Sequence, residues 1–186
     1  MNIGFAMCGS FCTFSQIFPI MEQLAKKHRI TPIFSQSVYT MDSRFGTAQE
    51  HIRRAEAICG TKVLHTLQQV EPLGPGKALD ALVIAPCTGN TLAKLAAGIT
   101  DTAVTMAAKA HLRSDRPLII TLASNDALSA NLKNIGTMLT KKQVYFVPMA
   151  QDDPINKPHS LVADFTLLLP TLEHAVKGKQ YQKIFV

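Results

Sequence analysis

Two patterns of apolar and polar positions alternate along this chain. The first is a short run that is apolar on both faces. Residues 81–85 (Ala-Leu-Val-Ile-Ala) and 118–122 (Leu-Ile-Ile-Thr-Leu) are the clearest cases. Such runs predict strands of a parallel sheet covered on both sides. Residues 2–8, 30–34 and 144–147 predict three more strands, and Val63-Leu64 a short one. The second pattern has helical spacing. In residues 13–28, Ile17, Ile20, Met21 and Leu24 fall on one face. Pro19 lies inside that stretch and predicts a bend or a later helix start. Further helices are expected over 47–58, over 90–97 with Gly98 as terminator, and from Asp101 as N-cap to about Arg113. Leu132, Ile135 and Leu139 mark another, and Pro170 opens a last one ending near Gly178. Residues 35–45 and 71–77 read as loops.

Strands that alternate with helices predict an α/β fold: a three-layer, doubly wound, mostly parallel sheet of Rossmann-like type. The 186 residues suit one domain, 1–186, since no linker interrupts the pattern. Ligands of such sheets bind beyond the carboxyl ends of the strands. The polar residues at those ends therefore carry the functional reading.

Composition narrows the classes. An apolar fraction of 47% excludes a disordered chain. The formal charge of +6 favours anionic ligands, but the basic residues are scattered and there is no Trp, so nucleic acid is not expected. No apolar run is long enough to span a membrane. The four cysteines, Cys8, Cys12, Cys59 and Cys87, form no CxxC pair and read as reduced cytoplasmic thiols. No metal site is expected.

Four strand ends hold candidate residues. Gly9-Ser10, with Thr13 behind, is a turn whose free N–H groups suit a phosphate, or an ordinary strand–helix turn. Ser10 stands where a P-loop would need Lys, and the G-x-G-x-x-G fingerprint is missing. Ser35 and Ser37 follow the second strand, where a Rossmann NAD site places an acid. Pro86-Cys-Thr-Gly-Asn-Thr91 follows the strongest strand, with Gly89 able to admit close backbone approach. Ala123-Ser-Asn-Asp126 follows the next. N-capping is the alternative account of the last two.

The segment Pro86-Cys-Thr-Gly-Asn-Thr91 resembles the P-x-S-x-N-T loop of the FMN-binding cysteine decarboxylase family, and the resemblance continues through residues 92–101 to Arg116-Pro117. Residues 123–128 occupy the place of that family's second motif, P-x-M-N-x-x-M-W, of which Asn125 remains. This resemblance implies FMN, with its phosphate on Gly9, Ser10, Thr13, Ser35 and Ser37. It places the ring near Thr88, Asn90 and Asn125, with Pro86, Thr91 and Ser124 completing the set. The departures are equally definite. No cysteine lies beyond Cys87, so the family's flap cysteine is absent. His65 has only a loose likeness to the catalytic histidine, and the catalytic residues stay unassigned.

The chain as a whole is similar to the dipicolinate synthase B subunits. The likeness rests on residues 9–13, Arg44-Phe-Gly46, Glu71-Pro-Leu-Gly-Pro75, Ala85–Asn90, Asn125–Leu128, Gln151-Asp-Asp-Pro154 and Lys157-Pro158. It implies an oxidoreductase subunit in the cytoplasm of a spore-forming bacterium's mother cell. Its implied partner, the dipicolinate synthase A subunit, carries NADP(H), and the pair oxidises a dihydrodipicolinate-type precursor to dipicolinate. A homo-oligomer is implied as well. A planar dicarboxylate calls for an Arg clamp, and Arg44 is the candidate substrate-binding residue. A stand-alone FMN-dependent decarboxylase and a non-catalytic, flavin-less subunit are the alternatives.

Overall fold

The computed structural model describes residues 1–74 and 79–186. Its sheet has seven strands among the described residues: β1 (Asn2–Met7), β2 (Arg29–Phe34), β3 (Ala81–Cys87), β4 (Leu118–Ser124), β5 (Val144–Phe146), β6 (Met149–Ala150) and β7 (Leu161–Ala163). The order is β2-β1-β3-β4-β7-β6, with β5 paired to β4. All pairings among β1 to β5 are parallel, and β7 joins β4 and β6 antiparallel. The helices are α1 (Phe14–Ala25), α2 (Gln36–Thr40), α3 (Ala48–Cys59), α4 (Leu67–Val70), α5 (Gly89–Ala97), α6 (Ala103–Leu112), α7 (Leu132–Leu139) and α8 (Leu168–Ala175). This is the doubly wound, mostly parallel α/β fold expected from the alternation.

Every residue of β3 and of β4 is buried. Two-sided burial requires helices on both faces, which explains why these strands lack polar alternation. Helix α1 packs on α3, and α5 packs on α6 and α7. Helix α3 owes its start to a capping box: Thr47 Oγ1 accepts from the Glu50 N–H, and Glu50 Oε2 accepts from the Thr47 N–H.

The boundaries differ from expectation where local chemistry competes. Pro19 stays inside α1 without ending it, and the helix stops at Ala25 rather than 28. The stretch 35–45 is not all loop, because α2 occupies part of it, anchored by the fully buried Val38. Strand β3 does not stop at Pro86 but runs through it to Cys87. A register shift between Ile84 and Cys87 accommodates the missing ladder donor. Asp101 does not cap α6. Thr102 does, bonded reciprocally to Thr105, while Asp101 pairs with Lys94 at 2.8 Å. Pro170 is the third residue of α8, not the first, and still falls in the turn where a helix has no use for the missing N–H. Leu64 forms only an isolated bridge to Ile33. Glu71–Leu73 is a 3-10 turn, while residues 75–77 of the expected loop lie outside the described residues. Strands β6 and β7, of two and three residues, carry too little pattern to be anticipated.

If burial in the central strand dominates stability, Ile120→Ala should cost about 2–5 kcal/mol in urea denaturation. Thr47→Ala, which removes one exposed cap, should cost about 1 kcal/mol. Equal losses would contradict this ranking.

Candidate functional site

Strands β1 and β3 are neighbours, yet the chain between them passes through β2 on the far side of β1. The order therefore reverses between β1 and β3, and a crevice opens at their carboxyl ends. The turns leaving these strands are bound together. The Cys8 N–H donates to the Pro86 carbonyl at 3.1 Å, and the Ser35 N–H to the Met7 carbonyl at 2.9 Å. Thr91 Oγ1 donates to Cys8 Sγ at 3.3 Å. Burial pushes the Cys8 thiol up to about 11 and raises the Cys87 thiol well above the ordinary range. Both are neutral packing groups rather than nucleophiles. Only Cys12 is exposed.

The start of α5 is equally constrained. Thr88 caps it by accepting from the Thr91 N–H. Gly89 follows, against a cluster at the end of β4. A Cβ at Gly89 would come within 2.6 Å of Asn131 Nδ2 and 2.8 Å of Asp126 Oδ1. Only glycine lets the two loops approach so closely. In the cluster, Ser124 Oγ donates to Asp126 Oδ1 at 2.5 Å, and Asn131 Nδ2 donates to both Asp126 oxygens at 2.9 Å. The Ser124 bond, joined by that from Asn131, holds the Asp126 carboxyl below its ordinary range.

These turns wall a cleft of about 760 Å³, within the size range of ligand pockets. Of the residues singled out from sequence, Gly9, Ser10, Thr13, Arg44, Thr88, Asn90, Ser124 and Asn125 line it. Pro86, Thr91, Ser35 and Ser37 do not line it. Pro86 and Thr91 lie buried behind the wall. Ser35 and Ser37 share a hydrogen bond of 3.0 Å. They lie behind Gly9, where a Cβ would come within 2.9 Å of Ser37 Oγ. His65 lies elsewhere, stacked on Tyr39 at 3.5 Å between ring centroids. His51 is buried among Phe11, Phe14 and Phe18, and desolvation lowers its basicity.

Sequence reasoning assigned no site role to Phe45, Asp152, Lys157 and Ser160, and placed Phe11, Cys12 and Asp126 only within candidate strand-end segments. Asp152 and Lys157 fell within quoted motifs, but no chemical signal attached to them. They reach the cleft because β7 pairs with the end of β4 and carries residues 151–160 over the crevice.

The donor set suits a mononucleotide. The first N–H groups of the 3-10 turn Phe11–Thr13 have no partner within it. With the Ser10 hydroxyl beside them they suit a phosphate. Asn90 and Asn125 present exposed side-chain amides to the same cleft, able to donate to or accept from a ring edge. No group of residues able to hold a metal ion occurs among the described residues.

A protein-family model named Flavoprotein matches residues 1–165. The chain belongs to the flavoprotein family. It is 40% identical to the dipicolinate synthase B subunit of Bacillus subtilis (strain 168), across 100% of this chain and 93% of that protein. The crystal structure of the dipicolinate synthase B subunit from Bacillus halodurans C superposes with a TM-score of 0.91 at 39% identity, covering 100% of this chain and 95% of that one. The FMN-dependent cysteine decarboxylase SpaF superposes with a TM-score of 0.71 at 20% identity, covering 95% of each chain, and shares the fold. No helix among the described residues of this flavoprotein is long and apolar enough to cross a membrane.

Asp126 supplies a pH test of the loop junction. Its carboxyl is held low in the folded state. Its contribution is therefore full above the unfolded value of about 3.9 and is lost as pH falls through the folded value. Asp126→Asn should lower the melting temperature at pH 7, and the gap should narrow as pH falls below the unfolded value of about 3.9. A gap independent of pH would show that the charge contributes nothing.

Proposed function

We propose that this chain is the flavin-holding component of a two-component dipicolinate synthase. It works with an NADP(H)-binding partner, the A subunit, to oxidise a dihydrodipicolinate-type precursor to dipicolinate. The observation that carries this reading is the 40% identity over the full chain to a dipicolinate synthase B subunit. The geometry supports it with a crevice suited to a mononucleotide and the absence of a dinucleotide fingerprint.

Oxidation of the precursor removes a hydride and a proton, and the ring becomes aromatic. FMN, when bound, supplies a two-electron acceptor. The chain's own contribution is to bind and orient. Gly9, the Ser10 hydroxyl and the N–H groups of Phe11 and Cys12 would hold the phosphate; Thr13 braces that turn, its N–H and hydroxyl both donating to the Ser10 carbonyl, with Ser35 and Ser37 behind. Thr88, Asn90 and Asn125 line the position of the ring, with Pro86, Thr91 and Ser124 shaping it. Arg44 takes a substrate carboxylate through its planar fork. It is free to do so, because it has no carboxylate partner among the described residues and only lies 4.8 Å over the Phe45 ring. Both carboxylates that line the cleft are engaged: Asp126 with Ser124 and Asn131, Asp152 with Lys157. Neither stands free as a base, so completion of the reaction falls to the assembled enzyme. We read 1–186 as one domain acting as a homo-oligomer in the cytoplasm of a sporulating cell.

Product absorbance with precursor and NADP should appear only when both components are mixed. The double variant Thr88→Ala, Asn90→Ala should lower the mixture's rate at least about tenfold, as loss of positioning contacts does. Activity of this chain alone, or an unchanged rate of the double variant, would overturn the proposal.

A further inference from the structure

Residues 151–160 form the loop between β6 and β7. Its base is fixed where Leu161 and Val162 pair with Ser124 and Ala123. The loop also braces itself. Gln151 Nε2 donates to the Pro158 carbonyl at 2.8 Å, and the Lys157 N–H to the Asp153 carbonyl at 2.8 Å. The Ser160 N–H donates to the Lys157 carbonyl at 3.0 Å. Lys157 is thus held by its own backbone on both sides. Its ammonium lies 2.8 Å from Asp152 Oδ2, which leaves two N–H donors unused. The pair is partly exposed and lines the same cleft as Arg44.

Arg44 comes from an unrelated loop, also braced. Ser43 and Gly46 exchange backbone hydrogen bonds of 3.0 and 3.1 Å, and the Phe45 N–H donates to Ser43 Oγ at 3.1 Å. Two cations on two independently closed loops therefore share one cleft. One is a planar fork suited to bidentate capture, the other a point charge with free donors.

We propose that Arg44 and Lys157 form a two-point clamp for a small planar dicarboxylate, with Lys157 the residue that selects two carboxylates over one. This rests on the reading of the cleft as the substrate site. Arg44 takes one carboxylate bidentately, and Lys157 donates to the other. Asp152 directs the ammonium, so the second contact forms without ordering a free lysine chain. A ligand with one carboxylate can use only one of the two points.

The test is calorimetric titration of the full chain in metal-free buffer with FMN in excess. The probes are pyridine-2,6-dicarboxylate and pyridine-2-carboxylate. The native protein should bind the dicarboxylate at least about tenfold more tightly, in keeping with one added charge-assisted hydrogen bond. Lys157→Gln should remove that preference and leave monocarboxylate binding unchanged, and Lys157→Arg should restore it. Retention of the full preference in Lys157→Gln would overturn the proposal while leaving the substrate site in place. Equal loss for both probes would overturn it too, as would loss of FMN binding with the preference intact. Absence of binding of either probe to the native protein would instead overturn the site reading on which the proposal rests.

Discussion

The site depends on how closely two turns can approach at the reversal point of the sheet. Strands β1 and β3 pair side by side, and the bond from the Cys8 N–H to the Pro86 carbonyl extends that contact past the last ladder pair. Each turn then bends outward into a helix. At the second turn the backbone passes so near the Ser124, Asp126 and Asn131 cluster that only a glycine fits, at position 89. Because these contacts are short, the crevice has a defined floor, which presents short polar side chains and the first N–H groups of the turn after β1. Those groups suit a phosphate, and Phe11 and Phe45 beside them suit a flat ring.

The walls have a different origin from the floor. Arg44 and Phe45 belong to a tight loop after β2, and Asp152 and Lys157 to the loop between β6 and β7. Neither loop follows β1 or β3 directly. The fold assembles them by placing β2 on one flank and β7 on the other. Charge is therefore concentrated at the rim, while the floor holds one carboxylate, Asp126, that is fully engaged. Under the proposed function, such a division would let cofactor binding and substrate selection vary separately. A change at Lys157 should leave the floor intact.

Much of this was legible in the chain before any coordinates. Continuous apolar runs at 81–85 and 118–122 marked the two central strands, because burial on both faces removes alternation. The polar residues after them marked the crevice, because short hydroxyl and amide side chains at a strand end either cap a helix or meet a ligand. Thr88 in fact caps α5 and also faces the cleft. What was not legible depends on tertiary contact. Strands β6 and β7 are too short to show a period, so nothing indicated that residues 151–160 return to the first half of the molecule. Asp101 was a reasonable cap by composition, but the neighbouring Thr102 could form a reciprocal pair with Thr105 and took the role. Thr91 stands where a ligand-facing hydroxyl is expected, whereas its hydroxyl is spent on the buried Cys8 thiol.

Every role proposed for the crevice between β1 and β3 depends on its being a mononucleotide site. The most direct measurement is titration of the purified protein with FMN, followed by quenching of flavin fluorescence, for the native chain and for Gly9→Val. A side chain at Gly9 would meet Ser37 Oγ at 2.9 Å behind the turn and push the turn out of the shape that would hold a phosphate. The native protein should saturate at about one FMN per chain. The Gly9→Val variant should lose binding while its circular dichroism remains native. A native chain that never saturates, or a folded Gly9→Val variant that binds FMN as the native chain does, would contradict it.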